Sequence, residues 1–165
     1  MDIIRQIEIS DAEELRKLYG SVVDENLPYI LRNSIPSVEE EKSFIQSVEE
    51  SGGTIIVSEG ADGCLIGMLT INRMLHSQLN HRASFGVSVA NIHRGQGIGT
   101  RLIQRAMAWC KENGVTQLSL EVLSSNPAIT LYERLGFSNI GENNMGIKVD
   151  DEYHPVLTMA VAIWP

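Results

Sequence analysis

A chain of 165 residues, 43% hydrophobic, 21% charged and carrying a net charge of -8, excludes several classes at once. It is long enough to bury a sizeable core, too acidic to neutralise nucleic-acid phosphates, and lacks the ~20-residue apolar run of a membrane helix. Two cysteines cannot build a disulfide framework and "MDIIRQIEIS" carries no basic flank before an apolar core, so a single cytoplasmic domain over residues 1–165 is expected.

Ile3, Ile7 and Ile9 share one face of a short alternating segment, which predicts a first strand. Ser10 and Glu13 have capping-box spacing, ahead of Leu15, Leu18 and Val22 at helical intervals. A polar, Pro-containing connection leads to "SVEEEKSFIQSVEESGG". There Ser37 and Glu40 repeat the capping pattern, Val38, Ile45 and Val48 supply an apolar face, and Gly52-Gly53 stops the helix. "TIIVS" and "CLIGMLTIN" read as strands joined by the polar turn "EGADG", and "ASFGVSVA" as a further strand.

From 98 to 113 the pattern is helical again, with Ile98, Leu102, Ala106 and Trp109 on one stripe and Gly114 closing it. "TQLSLEV" is another strand. In "SNPAITLYERLGF", Asn126 caps a short helix, Pro127 sits in its first turn and Gly136 ends it. Strands around 140–148 and 156–163 finish a mixed α/β chain with early hairpin strands and one β-α-β unit in its second half.

Between the strand at 83–90 and the helix at 98–113 lies "NIHRGQGIGTRLI". Gly95, Gly97 and Gly99 permit a tight turn and a close backbone approach to a ligand, and Ile98, Gly99 and Thr100 bring helix N-terminal N–H groups. With the forked cation of Arg94, this is the composition of a pyrophosphate cradle.

Three owners of such a loop compete. A nucleotide P-loop needs Lys and then Ser or Thr after its last glycine, where this chain has Thr100 and Arg101. A dinucleotide site needs its third glycine one residue later and β-α-β units around it. Glu121, near the end of the next strand, would be its acidic partner. "GVSVA" approaches a hydrolase elbow, with His154 and Asp150 as partners. However, Val87 and Val89 favour a continued strand at Ser88 over a sharp turn.

The run "VSVANIHRGQGIGTRLIQRAMAWCKENGVTQLSLEV", followed by "SSNPAITLYERLGF", resembles the core of a GNAT-superfamily N-acetyltransferase. Arg94, Gly97 and Gly99 meet that family's first motif, and Asn126, Tyr132 and Leu135-Gly136-Phe137 meet its second. The resemblance covers residues 84 to 137. It implies an α/β (α+β) fold whose mixed, mostly antiparallel sheet of about seven strands splays between two parallel strands at 84–90 and 117–123, with about four flanking helices. Acetyl coenzyme A would lie in the gap as cosubstrate. The backbone of Val87 and Val89 would take the pantetheine arm, with the N–H of Val89 polarising the thioester carbonyl. Residues 94–100 would take the pyrophosphate, and Asn126 a further coenzyme contact.

The same resemblance gives the acceptor as an amine, which must be neutral to attack, while the departing thiolate benefits from a proton donor. Tyr132 is the candidate for that donor by position and chemistry, and it also fits the buried stripe of its helix. Glu25, in "VVDENLPY", lies where such proteins line the acceptor site. It is the candidate base, beside the plainer reading of a solvated acid.

No metal-ligand spacing is present, and no metal, nucleic acid or membrane partner is expected. Homodimers are frequent in the family, so a homodimer is a further expectation. Three readings of function stand: acetylation of a small-molecule amine, acetylation of a protein N-terminus or lysine, and a non-catalytic acyl coenzyme A-binding module.

Overall fold

The computed structural model describes residues 2–25 and 34–164. In chain order the elements are β1 (Ile3–Gln6), α1 (Ala12–Val23), α2 (Val38–Glu50), β2 (Thr54–Glu59), β3 (Leu65–Arg73), β4 (Arg82–Val89), α3 (Ile98–Glu112), β5 (Gln117–Leu123), α4 (Ile129–Arg134), β6 (Ser138–Val149) and β7 (Glu152–Ala162). The strands form one seven-stranded sheet in the order β1-β2-β3-β4-β5-β7-β6. Every neighbouring pair is antiparallel except β4 and β5, which run parallel.

Strand alternation sends side chains to two separate cores. Ile56 of β2, Leu69 and Ile71 of β3, and Leu118 and Leu120 of β5 pack with Leu102, Ile103, Ala106 and Trp109 of α3. On the opposite face Ile55, Val57 and Met68 pack with Leu15 and Leu18 of α1 and Ile45 and Val48 of α2. Both faces of β2 are therefore covered, which is why "IIV" is apolar without alternation.

The beginning of the chain departs from the sequence reading. Ile9 leaves the strand for a 3-10 turn over Ile9–Asp11, so β1 ends at Gln6. The Ser10–Glu13 capping box does not form. Asp11 accepts instead from the Glu8 N–H at 2.7 Å and pairs with Arg5 through two bonds of 2.7 and 2.8 Å. The box has moved two residues toward the N-terminus, with Glu8 as its N-cap and Asp11 as its acid, and the Ser10 hydroxyl inside that turn donates to Glu8 at 3.4 Å. At α2 the expected capping box is present, with Ser37 Oγ accepting from the Glu40 N–H at 3.2 Å and Glu40 accepting from the Ser37 N–H at 2.7 Å.

The sheet opens at its centre. β4 and β5 share only the pairs Arg82↔Gln117, Ala83↔Leu118 and Ser84↔Ser119. Beyond them β4 stays with β3 as far as Val89↔Gly67, while β5 stays with β7 as far as Leu123↔Val156. Phe85, the first residue past the last shared pair, meets Phe137 at 5.6 Å and Tyr132 at 6.1 Å between ring centroids, both edge-on. This aromatic cluster sits at the point of the V.

Candidate active site

The V is the floor of a cleft of about 1190 Å³, wide enough for an extended ligand. Its walls come from β4 and β5, the loop before α3, α1 and α4, with Gly146, Ile147 and Val156 of the β6–β7 hairpin at one end. Of the residues singled out in the sequence, Val87, Val89, Arg94, Gly95, Gly97, Ile98, Gly99, Thr100, Asn126 and Tyr132 all line it.

The direction of the β4 backbone follows from its bonds. The Arg82 carbonyl accepts from the Met74 N–H and the Ala90 N–H donates to Ile66, both at 3.0 Å and both toward β3. Backbone groups alternate sides along a strand, so Val87 and Val89 turn their N–H and C=O toward the gap. The Val89 carbonyl accepts there from Arg94 Nε at 3.0 Å.

Beyond Val89 the chain makes the cradle. Gly95 and Gly97 have φ of 75° and 76°, the left-handed region that L side chains rarely enter. Gly97 is the N-cap of α3, and its carbonyl accepts the first helical bond from the Arg101 N–H at 3.1 Å. The N–H groups of Ile98, Gly99 and Thr100 therefore have no acceptor within the helix, and its dipole is positive at the same point. The Ile98 side chain is core at 2% exposure, so only its backbone serves the cradle. At Gly99 the nearest neighbour from α4 is Leu131, whose Cδ2 would lie in ordinary contact, 3.6 Å from a Cβ built there.

Arg94 and Glu25 meet each other. Nη1 and Nη2 of Arg94 donate to the two Glu25 oxygens at 2.6 and 2.7 Å. The fork expected to face phosphate is held by a carboxylate, and the carboxylate expected to take an amine proton has both oxygens engaged. Residues 26–33, the rest of the connection assigned to the acceptor side, lie outside the described residues. Arg101 adds a cation beneath the cradle: it donates to the Gln96 carbonyl at 3.1 Å and pairs with Asp2 through two bonds of 2.7 Å.

Asn126 is not the N-cap of α4, a place taken by Ala128; its Oδ1 accepts from the Ala128 N–H at 2.9 Å, an Asx turn three residues ahead of the first helical residue. Tyr132 is buried, and that burial pushes its phenol above the ordinary range.

The cleft also contains a residue to which the sequence reading gave no part in acyl transfer. In β5, Leu118, Leu120 and Val122 face α3, so alternation places Ser119 and Glu121 on the α1 side. Glu121 is exposed there and lines the cleft. Its signal was present in "LSLEV", as an acid at an alternate position of an otherwise apolar strand.

The thiols stand apart. Burial pushes Cys110 up to about 12, and Cys64 is raised first by the charge of Asp62. Neither lines the cleft, Cys110 being buried in the α3 core and Cys64 exposed beside the β2–β3 turn. No group of three or more His, Cys, Asp or Glu that could hold a metal is present among the described residues. No helix among them is long and apolar enough to cross a membrane.

A splayed parallel pair with a glycine cradle at its mouth defines an acyl coenzyme A acyltransferase architecture, and comparison with known proteins agrees. The chain matches the acetyltransferase (GNAT) family over residues 15–137 and belongs to it. It is 38% identical over 95 residues to a streptothricin acetyltransferase of Streptomyces lavendulae, a match covering 56% of this chain and 49% of that protein. The match thus spans about half the length of that relative. It is 26% identical over 145 residues to the [ribosomal protein bS18]-alanine N-acetyltransferase of Haemophilus influenzae, covering 85% and 84% of the two chains. A phosphinothricin acetyltransferase from Sinorhizobium meliloti, solved in complex with AcCoA, shares the fold with a TM-score of 0.88 at 18% identity, covering 98% of this chain and 88% of that one.

Proposed function

We propose that this chain is a single-domain cytoplasmic N-acetyltransferase, moving an acetyl group from acetyl coenzyme A to a primary amine by direct attack. The observation that carries this reading is the conjunction of the open backbone edge at Val87 and Val89 with the left-handed Gly95 and Gly97 cradle. Adenosine diphosphate and a pantetheine arm need those two features end to end, a helix N-terminus for anionic oxygens and a strand edge for amides.

When bound, the cosubstrate supplies an activated acetyl thioester. The N–H of Val89 stands on the gap side as a donor for negative charge developing on the acyl oxygen. Tyr132 holds its proton through the neutral range and donates it to the departing sulfur. Glu121 faces the α1 side of the cleft, where it receives the proton of the incoming amine directly or through water. Glu25 serves as the partner of Arg94 and not as the base. The raised thiols support direct attack over a covalent acyl-enzyme, because a nucleophilic cysteine needs a lowered pKa.

A small-molecule amine is the favoured acceptor, in keeping with the streptothricin-acting relative. The alanine N-acetyltransferase relative supports a second reading, an N-terminal amine of a protein. A panel of small amines and peptides, read by coenzyme A release, separates them. Release with small amines at rates at least tenfold above hydrolysis supports the first reading, and release only with peptides supports the second. Release with none, in protein that still binds acetyl coenzyme A, leaves a binding module and overturns the enzyme.

A further inference from the structure

Arg94 and Arg134 line the cleft, and Arg101 donates to Gln96 of the cradle loop, in a chain whose net charge is -8. Two of the three are neutralised on the spot. Arg94 is paired to Glu25 at 2.6 Å and Arg101 to Asp2 at 2.7 Å. Arg134 lines the cleft, is exposed, and has no carboxylate partner among the described residues.

Its place relative to the cradle is fixed by α4. Leu131 packs over Gly99, the third glycine of the cradle, and Arg134 follows three residues later on the same helix face. Arg134 thus sits about one helical turn along α4 from the residue that meets the cradle, and both line the cleft.

We propose that Arg134 binds the ribose 3′-phosphate of coenzyme A and makes this protein selective for the 3′-phosphorylated donor. The inference rests on acetyl coenzyme A being the donor. In that molecule the pyrophosphate and the 3′-phosphate are separated by one ribose ring, so a second anion must lie a few ångströms from whatever holds the first. The 3′-phosphate is a monoester with nearly two negative charges at neutral pH. The planar fork of an arginine can grip two of its oxygens at once. The N–H groups at 98–100 answer the pyrophosphate without any side chain. Arg134 answers the remaining phosphate, and its charge there is not already spent on a carboxylate. Near the carboxyl end of α4 the same cation also favours the helix dipole, a purely structural role.

Calorimetric titration of the wild-type protein, Arg134→Gln and Arg134→Lys with acetyl coenzyme A and with its 3′-dephospho form separates these roles. Wild type is expected to bind the phosphorylated donor about tenfold more tightly, the size of one charge-assisted contact. Arg134→Gln should lose that preference by weakening only the phosphorylated donor, and Arg134→Lys should recover part of it. Equal affinity of wild type for both donors overturns the role of Arg134 and leaves the donor reading standing. Equal weakening of both donors by Arg134→Gln, with a lower melting temperature, assigns the residue to helix stability and likewise overturns the proposal. Wild type that binds neither donor overturns both readings.

Discussion

Tyr132 carries two duties that its sequence neighbourhood could not separate. Its ring completes an edge-on cluster with Phe85 and Phe137, at 6.1 and 6.3 Å, and the same residue lines the cleft. Burial raises its pKa, so the phenol remains a donor at every pH below its ordinary value of about 10 and for some way above. As pH rises, a proton-donating Tyr132 is lost only past that raised value, while the acceptor amine becomes more nucleophilic. The rate of wild type should therefore climb through pH 9 without a falling limb. Tyr132→Phe should lower kcat about 10- to 100-fold at pH 7 while acetyl coenzyme A affinity changes less than twofold. A measured kcat unchanged across that range, with chemistry rate-limiting, removes Tyr132 from proton transfer. Gly97→Val tests the other end of the site. At φ of 76° a β-branched residue is strained, so binding of acetyl coenzyme A should fall at least tenfold by calorimetry, whereas Gly63→Val in the exposed β2–β3 turn should leave it intact.

Elements explain which parts of this fold were legible beforehand. The amphipathic stripe of α3, the capping box of α2 and the cradle glycines could be read directly, because each is a local pattern within a few residues. The Arg94–Glu25 pair could not, since its members are 69 residues apart and only the fold brings them together. The Glu8–Asp11 box escaped the sequence reading because Asp11 is held by Arg5, which is placed by the pairing of β1 with β2. Glu121 was in plain view, yet its face depends on which strand edge is left open. Gly52-Gly53 shows a halfway case. The sequence announces the end of α2, and Gly52 has the left-handed φ of 73° that such an end uses. Gly53 is glycine for another reason, because a Cβ there would lie 2.1 Å from the Ile71 carbonyl oxygen. Backbone cannot be moved aside as a side-chain tip can. Gly53→Ala should therefore destabilise the protein by about 1–3 kcal/mol in urea unfolding. A loss below 0.5 kcal/mol would show that β3 yields more easily than this contact implies.

Across the whole molecule, β1 is the edge strand most dependent on charge. Asp2 is tied to Arg101 of α3 and to Ser58 of β2 at 2.9 Å, and Arg5 joins Asp11 and Glu59, each at 2.7 Å. Arg101 beside Asp2, and Arg5 beside Asp11, hold those carboxyls below their usual range. A depressed folded pKa means stability that is present above the unfolded value of about 3.9 and is lost as pH falls through the folded one. Unfolding midpoints in urea should hold level between pH 7 and 5 and drop below about pH 4. Asp11→Asn should shallow that drop and lower stability at pH 7 by up to ~1 kcal/mol, given that the pair is partly exposed. A variant with an unchanged acid limb would place the acid sensitivity elsewhere.

The opening between β4 and β5 bears on solubility as much as on ligand binding. Unpaired strand backbone ordinarily invites another chain to add itself, which is why protein sheets guard their rims. Here the unpaired stretch from Phe85 to Val89 is recessed in the middle of the sheet, with β5 and β7 on its far side and α1 and α4 at the cleft walls. A second molecule's sheet would have to displace those flanking elements to reach this edge, whereas one slender extended arm needs only the cleft. The interruption thus acts as a size filter, keeping a sticky backbone available to a thread-like molecule and closed to another protein's sheet.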